Sequence, residues 1–353
     1  MFIITLFRLI VNLVTTISSC CLQNALYKYF MQTEILDYRY VTSWELEKLL
    51  SDPTFNDNLE PTWPLITTTF SGLKTNDDEA VWRDFIAGKR RGKPSELRNS
   101  TIHSTLSYAG DHLGVHRQVL NVHAACASSL YALYTASLMS QDLQTPALVF
   151  CADNLNSDYH HWHFNSFGAM NQETGRPFDS TSKGFRMGVG AAVYLIKHPS
   201  VKHRMTPKAV VQNYSFYTNP ALVANPGSAQ DIINNITGIN YKDIDLWNAH
   251  ATGTPLGDNV EYEYFAKTIK QDIPIVGFKS YVGHCMSAAG CIEIAMAMDG
   301  KANNVLLPNR PIGDIIVKDD RIITEQASFP YKKMLKTSLG FGGKTAVAEI
   351  DLY

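Results

Sequence analysis

Three stretches of this chain, ALVFCA (147–152), GVGAAVYLI (188–196) and IPIVG (273–277), are almost continuously apolar yet far too short to cross a membrane. A strand with one face in water alternates apolar and polar residues. Runs like these belong to strands covered on both faces, which restricts the fold to sheets packed between helices. Further strands are predicted over 118–124, 208–216, 245–249, 334–338 and 345–351, and helices over 127–141, 227–237, 258–269 and 286–299. In the first helix Leu130, Ala132, Leu133, Ala136 and Leu138 crowd one side. The alternation of strand and helix gives the α/β class. Residues 153–185, rich in Asn, Ser, Asp, Gly and His, read as a long functional loop.

With 353 residues, 45% of them hydrophobic and 18% charged, the chain buries a large core as one big domain or two fused halves. A net charge of -2 gives no general attraction to nucleic acid or anionic membranes. Six cysteines at positions 20, 21, 126, 151, 285 and 291, without CxxC pairs, form neither a disulfide framework nor a zinc motif, and the expected compartment is a reducing cytoplasm. The apolar start, MFIITLFRLIVNLVTTISSCC, lacks a positively charged leader and is interrupted by Arg8 and Asn12. It reads as a first strand followed by a buried helix, or as a mis-assigned start codon.

Three polar residues stand where apolar strands end. Cys126 follows the strand 118–124, His250 follows DLWNA, and His284 lies in KSYVGHCMSAAG after IPIVG. In open α/β sheets ligands bind outside the carboxyl ends of the strands, so a single site can receive all three. Each alone is also an ordinary residue: a core cysteine, a turn histidine and a satisfied histidine in a Gly-rich turn. Together they suit acyl transfer through a thioester. The helix beginning at Cys126 favours a thiolate, neutral imidazoles donate N–H groups to an oxyanion, and the glycines of GFGGKT let a backbone amide approach the same oxygen.

These residues carry a resemblance. HAACASS (123–129), RPFDSTSKGFRMGVGAAVYLI (176–196), HATGTPLGD (250–258), KSYVGHCMSAAG (279–290) and SLGFGGKT (338–345) resemble, in order, the motifs of the β-ketoacyl-acyl carrier protein synthases of the thiolase-like condensing-enzyme superfamily. The resemblance implies a duplicated five-layer αβαβα fold. Residues 1–200 would form the half that carries the nucleophile and 201–353 the half that carries both histidines. It implies decarboxylative condensation of an acyl-cysteine with a malonyl-acyl carrier protein, in fatty acid or polyketide-type synthesis. Cys126 would take the acyl group, His250 and His284 would bind the malonyl thioester and stabilise its enolate, and the amides of Cys126 and Phe341 would form the oxyanion hole. Phe341 would also be the gate, Lys279 would tune the site with Glu261 as its partner, and Thr252 and Thr254 would hold the phosphopantetheine arm. No metal or cofactor is implied beyond phosphopantetheine on the carrier protein or CoA. The implied partners are an acyl carrier protein and a second ketosynthase-like subunit, in a homodimer or heterodimer.

Two alternatives stay open: a non-catalytic partner subunit of the chain-length-factor kind, and a thiolase that uses Cys285 as base. The sequence departs from the family pattern at Ala251 for Gly, at Lys344-Thr345 for Thr-Asn, and over the first 60 residues. Lys89, Arg90, Arg91 and Lys93 in GKRRGKPSELR read either as a solvated loop or as a docking patch for an acidic carrier protein. The histidines of DYHHWH (158–163) lack the cysteine or second carboxylate that would complete a tetrahedral metal site, and are expected to pack.

Overall fold

The computed structural model describes residues 31–43, 45–69, 84, 87–89, 102–115, 119–155, 158–173, 175–222, 227–311 and 313–353. The predicted strand and helix over residues 1–21 lie outside this set, as do Arg90, Arg91 and Lys93.

The described strands are β1 (Thr33–Val41), β2 (Leu65–Thr68), β3 (Val119–Asn121), β4 (Ala147–Asn154), β5 (Val189–Lys197), β6 (Ala209–Thr218), β7 (Leu246–Asn248), β8 (Ile275–Val276), β9 (Lys333–Gly340) and β10 (Lys344–Leu352). The helices are α1 (Leu46–Leu50), α2 (Pro53–Asn56), α3 (Ile102–Leu113), α4 (Ser128–Leu143), α5 (Asp158–Ser166), α6 (Ala229–Asn235), α7 (Pro255–Thr268), α8 (Lys279–Val282) and α9 (Ala289–Ala302). The strands join in the order β3-β2-β4-β5-β1-β6-β10-β9-β7-β8.

That order is one pattern written twice. Taking each group of five strands in chain order, both halves read 3-2-4-5-1, with the first two contacts parallel and the next two antiparallel. The halves join where Thr33–Ile35 pair with Ala209–Val211. Strand periodicity then builds the layers. In β4, Ala147, Val149 and Cys151 face one core while Leu148, Phe150 and Ala152 face another. The shared inner core packs α4 and α9 against both half-sheets, through Leu130, Leu133 and Ala136 and through Ile292, Ile294 and Ala295. On the outer faces α1 and α3 cover the first half and α6 and α7 the second. The result is the five-layer αβαβα arrangement.

Several boundaries move. Strand β3 is only three residues long, and Ala124 and Cys126 beyond it make an isolated bridge. Helix α7 begins at Pro255, because a fixed φ and a missing N–H suit the first helical turn. Leu138 is 38% exposed, off the buried stripe of α4. The stretch 153–185 is not one loop: α5 occupies Asp158–Ser166. Its composition hides it, since among the described side chains of the helix His160 and Phe164, four residues apart, form the buried face.

Candidate active site

The fold brings the three strand-end residues together. Sγ of Cys126 lies 3.1 Å from Nε2 of His284. One ligand atom from each of Cys126, His250 and His284 falls within 4.8 Å of the others. The two imidazoles meet edge to face with ring centroids 5.2 Å apart. Phe185 packs edge-on against His284 at 5.4 Å, and Sδ of Met286 lies 3.7 Å from the thiol.

The backbone bends to achieve this. Ala125, just before the nucleophile, is held at φ 50°, and Met286, two residues after His284, at φ 37°. Met286 opens a single 3-10 turn (Met286–Ala288) ahead of α9, and Asp153 fixes that turn across the two halves. Oδ2 of Asp153 accepts hydrogen bonds from the amides of Ser287 at 2.8 Å and Ala288 at 3.3 Å. Phe341 sits in the turn between β9 and β10, where Gly342 and Gly343 supply φ of 78° and 63°. The turn aims the Phe341 amide at the Cys126 sulfur, as does Cys126's own amide.

A cavity of about 310 Å³ opens onto this group. Cys126, His250, His284, Thr252, Thr254 and Phe341 line it, and Phe167, Leu256 and Lys183 stand at its exposed rim. The hydroxyls of Thr252 and Thr254 are 2.9 Å apart on the wall. Phe341 stacks on Phe164 at 6.0 Å. Cys285 is fully buried, points its sulfur toward the carbonyl of Val282 at 3.8 Å and does not line the cavity.

Lys279 lies behind the histidines, and its partner is Glu293 rather than Glu261. Nζ of Lys279 donates to Oε1 of Glu293 at 2.6 Å and to the carbonyl of His250. Glu261 is taken up by the backbone instead. It accepts the amides of His250 and Ala251, each at 2.6 Å, and the hydroxyl of Thr337. A carboxylate at the start of the turn satisfies donors that the end of β7 leaves open. Glu293, Lys336 and Asp153 were not singled out in the sequence. The legible sign was a charge inside an apolar run: Glu293 in CIEIAMAM and Lys336 in KMLKTSL.

Burial governs the titration. Both imidazoles are held well below their ordinary range, first by desolvation and then by Lys279. They are neutral at physiological pH. Nδ1 of each is buried with no hydrogen-bond partner. An orphaned N–H is rarer in proteins than an orphaned acceptor, so the proton belongs on Nε2 of both rings. Burial also pushes the Cys126 thiol up to about 12, against Lys279 and the Phe341 amide, which favour the thiolate. The helix start and the imidazole therefore do not give a resting thiolate, contrary to the sequence expectation.

The other predicted sites separate from this group. Lys89 is exposed and 3.5 Å from Asp84. Of the DYHHWH histidines, His161 bonds Gln172 through Nε2 at 3.1 Å and His163 packs edge-on against Phe164 and Phe167. No helix of the described residues is long and apolar enough to cross a membrane.

Comparison with known proteins agrees with this geometry. The family model "Beta-ketoacyl synthase, N-terminal domain" matches residues 45–201, and "Beta-ketoacyl synthase, C-terminal domain" matches 209–312. Among curated proteins, the highly reducing polyketide synthase of Didymella fabae is 25% identical over 92% of this chain. Probable polyketide synthase 25 of Dictyostelium discoideum is 25% identical over 76%. The matches span 19% and 12% of the length of those two relatives. A β-ketoacyl synthase from Burkholderia phymatum STM815 superposes with a TM-score of 0.75 at 21% identity, over 87% of this chain and 80% of that one. A type II polyketide synthase acyl-carrier protein in complex with its ketosynthase bound to the hexaketide gives 0.74 at 16%, over 92% and 100%. The ketosynthase ApeO with its chain length factor ApeC from Xenorhabdus doucetiae gives 0.70 at 19%, over 83% and 75%. With its two-fold 3-2-4-5-1 sheet and its Cys-His-His cluster at the strand ends, the chain belongs to the β-ketoacyl synthase family.

Proposed function

We propose that this chain is an elongating ketosynthase that condenses a cysteine-bound acyl group with a malonyl thioester carried on an acyl carrier protein. The observation that carries the reading is the Cys126 sulfur 3.1 Å from His284 Nε2 on the wall of an open cavity that His250 also lines. In acyl transfer, Cys126 Sγ bonds to the acyl carbon and the thioester C–S bond breaks. The thiol proton leaves with the departing phosphopantetheine thiol. The amides of Cys126 and Phe341 hold the tetrahedral oxyanion. The malonyl carbonyl then takes the N–H groups of His250 and His284. Loss of carbon dioxide leaves an enolate on that oxygen, its carbon attacks the acyl carbonyl, and Cys126 departs and regains a proton from solvent. Neutral N–H donors suit this step, because an imidazolium would surrender its proton to the enolate and quench it.

Thr252 and Thr254 hold the phosphopantetheine arm in this reading, and Phe341, stacked on Phe164, gates the acyl side. The basic run from Lys89 through Arg90, Arg91 and Lys93 receives the acidic carrier protein. A second ketosynthase-like subunit adds at β3, the strand that ends the described sheet and where Leu120 is 46% exposed. The non-catalytic reading has one support, the complexes of ketosynthases with chain length factors among the structural neighbours. Intact-protein mass spectrometry after incubation with acyl carrier proteins and acyl-CoAs decides between the two. An acyl adduct that disappears in Cys126→Ala supports the ketosynthase. A folded wild-type chain that takes no adduct from any donor is a partner subunit.

A further inference from the structure

Lys336 has no part in the reaction just described, yet it is one of the most deeply buried charges in the molecule. It lies on β9 with no exposed surface, and its Nζ donates to Oε2 of Glu293 at 2.6 Å and to the carbonyl of Ala249 at 3.3 Å. Lys279 mirrors it on Oε1 of the same carboxylate and on the carbonyl of His250. One glutamate thus bridges two ammonium groups that grip two successive carbonyls at the exit of β7. The three-residue cluster carries one net positive charge.

We propose that Lys336 is a second positioning cation of this site, which with Lys279 clamps the Ala249–His250 backbone and sets the positive field that both imidazoles face. The proposal rests on the ketosynthase reading for its purpose, though not for its test. The charged groups around Lys336 are Glu293 on α9, Lys279 on α8 and Glu261 on α7, with His250 and His284 beyond. Asn248 on β7 and Ala348 on β10, its sheet neighbours, are uncharged. Both histidines feel Lys336 as well as Lys279, and in the same direction, against the imidazolium. Lys336 is itself pushed down to about 8 by burial, so it is charged at neutral pH and loses that charge in mildly alkaline solution. Keeping two lysines on one carboxylate has no structural necessity, since Lys279 alone balances Glu293.

The test is Lys336→Met in protein labelled with 13C at histidine Cε1, titrated by NMR from pH 5 to 9, with His250 and His284 assigned by substitution. In the wild type neither resonance should titrate near the ordinary histidine value of about 6.5. In Lys336→Met both midpoints should rise by on the order of one unit, as expected when a close buried like charge is removed. Lys336→Arg, which keeps the charge, should restore the wild-type curve. Lys336→Met leaves no unpaired charge, so its urea midpoint at pH 7 should be no lower than that of the wild type. Unchanged midpoints in a folded Lys336→Met would overturn the proposal. If that variant does not fold, an imidazolium midpoint near 6.5 at His250 and His284 in the wild type overturns it instead. Because no acyl donor is present, failure here is separable from failure of the ketosynthase reading, which the Cys126 adduct decides.

Discussion

At Cys126 two influences oppose each other, and their balance predicts how the thiol reacts. Lys279 and two backbone amides favour the thiolate, while burial disfavours it more strongly and leaves the group near 12. Below that value the thiolate fraction therefore grows tenfold with each unit that the pH rises. Alkylation of Cys126 by iodoacetamide is expected to be slow at pH 7 and to rise about tenfold per unit to pH 10. Mass mapping should still find it modified before Cys151, Cys285 and Cys291, which do not line the cavity. A rate that levels off below pH 8 would contradict the burial argument. Ala251 is a second residue under constraint, held at φ 33°, where the family motif has glycine. A side chain in left-handed backbone costs roughly 1–2 kcal/mol, partly offset because glycine has more freedom to lose on folding. Ala251→Gly should therefore raise stability by about 0.5–1 kcal/mol in urea unfolding.

Among the elements, α9 shows how a polar group can hold a core together. Its residues are buried nearly all round, and Glu293 in its first turns meets Lys279 and Lys336 inside the protein. Glu293→Gln would leave two ammonium groups facing one neutral amide, and is expected to destabilise the fold by roughly 3–5 kcal/mol. Lys336 has the opposite sign. Its native value lies below the unfolded one, so the unfolded chain binds the extra proton. Its cost is complete below pH 8 and disappears as pH rises toward the ordinary lysine value. Stability measured between pH 8 and 10 should rise in the wild type relative to Lys336→Met. These elements also show what the sequence made legible. The apolar runs of β4, β5 and β8 and the motif residues Cys126, His250 and His284 were readable, because each carries its signal within a few neighbours. Helix α5 was not, since among its described side chains the buried ones are His160 and Phe164, set in a polar segment. The pairing of Glu293 with Lys279 is not legible in the sequence, because it joins α8 to α9 through the core, and only the three-dimensional packing decides which of two acids meets the lysine.

For the whole molecule, the place of β3 at the end of the described sheet predicts association. The proposed second subunit adds a strand there, and Leu120→Asp should halve the mass found by sedimentation equilibrium while leaving the far-UV circular dichroism of the subunit intact. A wild-type chain that sediments as a monomer at micromolar concentration would exclude this interface. The two-fold 3-2-4-5-1 sheet has a further consequence for biosynthesis. The first half leaves the ribosome with the inner face of α4 complete, but the helix that covers it, α9, follows about 150 residues later. At roughly 5–20 residues per second that delay is about 7–30 s, long compared with the folding of a small domain. During that interval an apolar layer meant for the centre of the protein faces solvent. Nascent chains stalled before residue 289 should therefore recruit chaperones and aggregate, whereas those released after β10 should not.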